Sequence, residues 1–354
     1  MTSALAAYLV ENGYCDLLVG GIKEPSVFYG DVPLARTLVA ERRATGAGRC
    51  YLDASVSYII NPAALREIAS ACPDAKIIVC LRNPFQRTLS AYRFYKALHT
   101  LAIDDAEALF RRGTLPDGTP FPAELMNMRL PASSWVTTLW LKYFQAFGTL
   151  PDWRTERRVD EEVIALGGLA PRYLINPPQG RYLFTSIVAA VEGLVPGNAE
   201  SATRVAALDQ EVETFAASSL PQTVLRELRH QRNHGELPNV SILRNSFFSL
   251  LLATVMEIFS PSQVMLARMD SLQETEVLDK RMRAFLDVPP GKAPREGFRR
   301  VNDTARYAGI PDARDAAAAA TVLHGAFSED EARMHALIAR HPGINLSLFS
   351  GPLE

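Results

Sequence analysis

The chain lacks most of the features that would assign it quickly. It has four cysteines in 354 residues, Cys15, Cys50, Cys72 and Cys80, with no Cys-x-x-Cys pair and no histidine at ligand spacing. That excludes a disulfide framework and a sequence-encoded zinc site, and it points to reduced thiols in a cytoplasmic protein. Net charge is only -2, so no global field favours nucleic acid or an anionic membrane, and any anion site has to be built locally. The most hydrophobic run, Phe247 to Met256, is ten residues and is closed by Glu257. It is too short to cross a bilayer and reads as a buried helix. Met1-Thr2-Ser3-Ala4 has no basic character, and Glu11, Asn12 and Asp16 interrupt the apolar stretch behind it, so no secretory signal is expected. No Gly-x-x-x-x-Gly-Lys-Ser/Thr occurs, which argues against an ordinary P-loop kinase or NTPase. His99, His230, His234, His324, His335 and His341 form no triad, and no metal is expected.

What is present is an alternation of short apolar runs and capped helices. Residues 1–13 have helical spacing at Leu5, Tyr8 and Leu9, with Gly13 as the stop. Leu17 to Gly21 and Tyr51 to Asp53 are short extended pieces. Asn61-Pro62 predicts a helix start, since Asn caps and Pro suits the first helical position. Lys76 to Leu81 is apolar after its lysine, as expected of a parallel strand covered on both faces. Asn83-Pro84 starts the next helix, with Phe85, Leu89 and Tyr92 inward. From Asn245 the pattern resumes: a helix with Phe248, Leu251, Leu252, Val255 and Phe259 on one face, a strand at Gln263–Ala267, and a helix capped by Ser271.

This order predicts an α/β fold, a doubly wound parallel sheet flanked by helices. Residues 1–96 and 244–310 would form the core, and 97–243 a mostly helical insertion serving as acceptor-binding or lid region. In that insertion, Gly113 to Ser134 reads as loop. Helices are expected at Trp135–Phe147, Glu156–Leu166, Ala199–Ser218 and Pro221–Arg232. Trp135, Trp140, Phe144 and Phe147 are at core spacing. Residues 311–354 are expected to form two helices, the second opened by the capping box Ser328 to Glu331.

The chemistry concentrates at Leu81-Arg82-Asn83-Pro84-Phe85-Gln86-Arg87-Thr88-Leu89-Ser90-Ala91-Tyr92. A buried strand ends in an arginine, and a capped helix follows with a serine two turns in. Open α/β sheets bind ligands at the carboxyl ends of strands, where helix N-termini offer free N–H groups. Arg82 could supply a fork of donors to a phosphate and Ser90 a hydroxyl. On spacing alone, both fit equally well on a solvated helix edge.

This run resembles the 3'-phosphate-binding segment of the sulfotransferases that use 3'-phosphoadenylyl sulfate (PAPS), where a strand ends Leu-Arg-Asn-Pro and a helix follows with Ser-x-Tyr. The resemblance implies that Arg82 and Ser90 hold the 3'-phosphate. Lys23-Glu24-Pro25-Ser26-Val27-Phe28 is similar to the Lys-Glu-Pro-x-x-Phe block of carbohydrate-type and many bacterial members. It implies Glu24 as the general base, with Lys23 near the leaving phosphate; read alone, both are surface charges beside a turn proline. Asp53-Ala-Ser55-Val-Ser57-Tyr58 is similar to the family's Glu-x-Ser-Pro-x-Tyr block without its proline. Phe248 stands where the family commonly has tyrosine. Lys292, Arg295, Arg299, Arg300 and Arg306 crowd the stretch that resembles the closing nucleotide loop, or they form a solvated basic run.

The family's opening strand and its Pro-Lys-x-Gly-Thr-Thr/Ser loop have no counterpart beyond Thr2 and Ser3, which the resemblance leaves as hydroxyl contacts. Two expectations follow. The chain is a sulfotransferase acting on a small-molecule, glycan or lipid-linked hydroxyl or amine, whose activity in this short form is weak. Alternatively it is a catalytically degenerate nucleotide-binding or scaffold protein on the same fold.

Overall fold

The computed structural model describes residues 2–18, 27–28, 32–46, 49–98, 179–268 except six positions between 183 and 193, 275–289 and 311–348. The chain divides into two compact units. The first comprises Met1–Thr88, Arg244–Asp303 and Leu323–Glu354; the second comprises Leu89–Leu243 and Thr304–Val322.

The first unit is α/β. Helix α1 (Thr2–Glu11) buries Leu5, Tyr8 and Leu9. It ends at Gly13, whose φ of +71° a side chain would resist. Strand β1 (Asp16–Leu17) follows at once. After helix α2 (Val32–Thr45) comes β2 (Tyr51–Leu52), parallel to β1 with Asp16 opposite Tyr51 and Leu17 opposite Leu52. Helix α3 (Pro62–Ala71) starts as its sequence requires, with the Ala64 N–H donating to Asn61 Oδ1 and Pro62 in the first turn. Strand β3 (Ile77–Leu81) then leads into helix α4 (Pro84–Leu98).

The remaining elements of this unit come from beyond residue 244. Helix α7 (Phe248–Ile258) precedes β4 (Val264–Arg268), and helix α8 (Thr275–Leu286) follows it. Strand β4 pairs in parallel with β3 at all five positions, from Ile77 opposite Val264 to Leu81 opposite Arg268. Strand β5 (Asn345–Leu348) pairs in parallel with the other edge of β4. The described strands thus form a two-stranded sheet, β1–β2, and a three-stranded sheet, β3–β4–β5. One face carries a core of Leu5, Tyr8 and Leu9 from α1, Met265 and Ala267 from β4, and Leu278, Met282 and Phe285 from α8. Leu52, Ile78 and Cys80 pack against it. Tyr8 Oη donates to Asp279 at 3.2 Å, and Asp279 also pairs with Arg283 at 2.8 Å.

The described part of the second unit is mostly helical. Helix α5 (Ala199–Ala217) is capped by Asn198, which accepts from Glu200 and Ser201 N–H. Helix α6 (Leu220–His234) ends on Gly235, in the left-handed region at φ +78°. Tyr92, Tyr95, Phe184 and Phe215 form an aromatic cluster with centroids 5.7–6.1 Å apart. Lys96 Nζ lies over the Tyr92 and Phe215 rings and donates to Phe215 O at 3.0 Å. The expected helices Trp135–Phe147 and Glu156–Leu166 lie outside the described residues.

The C-terminal segment departs from expectation. One continuous helix, α9 (Ala313–Ala339), replaces the two expected, and β5 follows it. Ser328 therefore does not open a helix. The alanines at 316–320 and the absence of proline from 312 to 341 let the helix run through. The acidic side chain that looked like part of a cap is used elsewhere: Asp330 is buried and accepts from the Ser249 N–H and hydroxyl. Phe327 beside it stacks edge-on with Phe247.

Candidate nucleotide site

A cavity of about 1300 Å³ runs through the first unit. Its walls include the carboxyl ends of β2 and β3, the end of a parallel α/β sheet at which ligands bind.

At the end of β3, Arg82 is followed by a helix start built from its own side chains. Asn83 Oδ1 accepts from the Gln86 N–H at 2.9 Å, and Asn83 O accepts from the Arg87 N–H at 3.0 Å. Pro84 occupies the first helical position, where its missing N–H costs nothing. Arg82 is half-buried and its guanidinium donates to Gln86 O, across the first turn of α4. The guanidinium thus lies against the first turn of α4, and a guanidinium near a helix N-terminus suits an anionic oxygen cluster. Arg87 reaches Ser246 Oγ at 3.4 Å, and the buried Thr88 hydroxyl meets the same oxygen at 2.8 Å. Arg82, Arg87, Asn245 and Phe248 all line the cavity.

At the end of β2, three residues form one network. Asp53 Oδ1 accepts from the Ser55 N–H at 2.9 Å and from the Ser55 hydroxyl at 2.6 Å. Its Oδ2 accepts from Tyr58 Oη at 2.8 Å. Tyr58 Oη accepts in turn from the Phe28 N–H at 3.2 Å, and the Phe28 and Tyr58 rings meet edge-on at 5.9 Å. Burial, and then the neighbouring Asp53 charge, hold the Tyr58 phenol far above its ordinary range, so Tyr58 is a fixed donor and not an acid. The network locks the loop after β2, and Asp53, Ser55, Tyr58 and Phe28 all line the cavity.

The structure therefore brings Arg82 and Phe248 to one cavity, with the Asp53 network beside them. Ser90 is half-buried on α4, beyond the point where the second unit begins, and is not among the lining residues. Thr2 and Ser3 fall in the first turn of α1, with side chains outside the described set. Lys23, Glu24, Lys292, Arg295, Arg299, Arg300 and Arg306 lie outside the described residues.

Arg87, Asn245 and Ser246 were not anticipated. Arg87 stood in the run after β3 with no role assigned to it, and the Asn245-Ser246 pair preceded an apolar helix without any motif. None of the four cysteines is in a disulfide, and only Cys15 is buried. Cys50, Cys72 and Cys80 are half-buried, and all four line the cavity. Among the described residues no cluster of His, Cys, Asp and Glu is placed to hold a metal ion, and no helix is long and apolar enough to cross a membrane. Searches against protein-family models, curated proteins and solved structures find no match to the chain.

Proposed function

We propose that the chain is a sulfotransferase that binds PAPS at the carboxyl ends of β2 and β3 and moves its sulfuryl group to a hydroxyl or amine acceptor. The observation that carries this reading is the junction of β3 and α4. There a parallel strand ends in Arg82 directly ahead of a helix N-terminus capped by Asn83 and Pro84, on the wall of a large cavity. The likeness of the same residues to the 3'-phosphate segment of the family supports it, as do the hydrogen bonds joining Asp53, Ser55 and Tyr58. In this reading the two parallel sheets belong to one doubly wound core, Arg82 and Ser90 clamp the 3'-phosphate, and Phe248 packs by the adenine. Thr2, Ser3, Arg295 and Arg299 contact the phosphates.

The reaction is an in-line displacement at sulfur. The bond between sulfur and the bridging phosphate oxygen breaks as a bond to the acceptor atom forms. The acceptor proton passes to Glu24, and adenosine 3',5'-bisphosphate leaves with Lys23 near its 5'-phosphate. Such transfers pass through loose transition states, so positioning and charge stabilisation dominate.

The test is transfer of label from PAPS to a panel of hydroxyl and amine acceptors. Glu24→Gln keeps the shape of the side chain but removes the basic carboxylate. It should lower turnover by roughly 100-fold with nucleotide affinity unchanged. Near-normal turnover in the variant would remove Glu24 from the mechanism. Nucleotide binding with no transfer to any acceptor would favour the second reading, a degenerate nucleotide-binding or scaffold protein.

A further inference from the structure

Two of the cysteines that line the cavity are neighbours across a strand ladder. Strands β1 and β2 run parallel with Asp16 opposite Tyr51, and the Asp16 N–H donates to Cys50 O at 2.9 Å. Cys15 and Cys50 stand one position ahead of that pair, so they share one face of the ladder. Paired strands lie about 4.8 Å apart, inside the Cα separation of about 4.4–6.8 Å that a disulfide spans. Both side chains belong to one apolar cluster, with Cys15 in its core and Cys50 packed against it. The two thiols share a hydrogen bond, and neither is in a disulfide.

The two thiols are not equivalent. Cys15 is buried, and its thiol is raised, first by the hydrogen bond with Cys50 and then by burial. Cys50 is half-buried on the cavity wall. Its thiol is lowered, first by the hydrogen bond from Cys15 and further by the charge of Lys76, against the opposing effect of burial. A thiolate held by a donor and a nearby cation is the form that attacks a disulfide. Cys72, whose thiol burial raises, is a poorer attacking group. Once Cys50 carries a mixed disulfide, its sulfur becomes the electrophile, and Cys15 is already in contact with it.

We propose that Cys15 and Cys50 form a redox site that reacts with small disulfides of the glutathione class, Cys50 attacking and Cys15 resolving. The Cys50 thiolate attacks one sulfur of the small disulfide. That S–S bond breaks, one small thiolate leaves and takes up the proton that Cys50 lost, and a mixed disulfide stands on Cys50. Cys15 then gives up its proton and attacks the Cys50 sulfur, and the second small thiolate leaves with that proton. Both protein thiols are oxidised to one disulfide, and the small disulfide is reduced to its two thiols. The product ties the start of β1 to the start of β2, strands of two residues each, and excess small thiol reverses it. This inference rests on the β1–β2 ladder and does not depend on the nucleotide reading.

The experiment incubates the unmodified chain with glutathione disulfide, alkylates the remaining thiols and maps the linked peptides by mass spectrometry. The expected product is a disulfide between Cys15 and Cys50, with no glutathione retained on either and both thiols recovered under dithiothreitol. In Cys15→Ser the reaction stops with glutathione held on Cys50. In Cys50→Ser, capture of glutathione by Cys15 is slower than that by at least about tenfold. A link from either cysteine to Cys72 or Cys80, or a mixed disulfide that persists on Cys50 of the unmodified chain, would overturn the proposal. So would no link in the folded chain, or one that forms only in urea, since the ladder would then not bring the thiols together. The mapping of the unmodified chain decides the matter even if a variant fails to fold.

Discussion

Replacing Arg82 with alanine is expected to weaken binding of adenosine 3',5'-bisphosphate by about 30- to 1000-fold, equivalent to about 2–4 kcal/mol. The guanidinium sits just after β3 and against the first turn of α4, on the wall of a cavity. A phosphate bound there would lose water, and its charge-assisted bonds would be correspondingly strong. Arg82→Lys should recover part of the loss, because an ammonium keeps the charge but not the planar fork that matches two phosphate oxygens. Folding stability should change little in either variant, since the bond from Arg82 to Gln86 O is exposed. Calorimetric titration of the three proteins reads the effect. Equal affinities would remove Arg82 from the site.

The other large effect concerns stability. Glu227 on α6 is fully buried and organises the segment after that helix. Ser241 Oγ donates to Oε2 at 2.6 Å, Ile242 N–H to Oε1 at 3.0 Å, and Leu243 N–H to Oε2 at 3.1 Å. Burial raises its carboxyl above the ordinary range, and these bonds pull it back only in part. Glu227→Ala removes the acceptor of three buried donors at once and should cost about 3–5 kcal/mol. Glu227→Gln should cost about 2 kcal/mol, because either orientation of the amide turns its NH₂ toward a backbone N–H.

The pH dependence has a definite sign. A carboxyl whose folded pKa is raised holds its proton more tightly when folded. Its contribution to stability is therefore greatest below the ordinary carboxylate pKa and is lost as pH rises through the raised folded value. Asp330, raised by burial beside Ser249, acts in the same direction. Urea denaturation across that range should show stability falling with pH, with a shallower slope in Glu227→Gln. An unchanged slope would mean that Glu227 does not titrate there.

The elements legible in the sequence were those specified by local chemistry. Asn61-Pro62 and Asn83-Pro84 start helices because cap and proline act within one turn, and both helices open where those pairs stand. Strands β3 and β4 were legible as short continuous apolar runs, and the trio Asp53, Ser55 and Tyr58 proved to be one hydrogen-bonded unit.

What was missed depends on distant partners. Helix α2 carries its buried residues Ala35, Leu38 and Val39 among arginines and a threonine, so its apolar stripe is thin. Strand β5 exists because β4 offers an edge 77 or more residues earlier in the chain, to which Asn345 and Leu348 pair. Ser328 to Glu331 has the form of a cap, but its Asp330 is claimed by Ser249, 81 positions away. Arg87 joined the cavity wall through Ser246, a contact across 159 positions that no local pattern announces.

The central claim is that the junction of β3 and α4 recognises a 3'-phosphate. The most direct measurement is calorimetric titration of the unmodified chain with adenosine 3',5'-bisphosphate and, separately, with adenosine 5'-monophosphate, which differs only in lacking that group. The account predicts that the bisphosphate binds at least about tenfold more tightly, a difference of about 1.4 kcal/mol or more. Equal affinities, or binding of neither nucleotide by a chain that melts cooperatively, would contradict it.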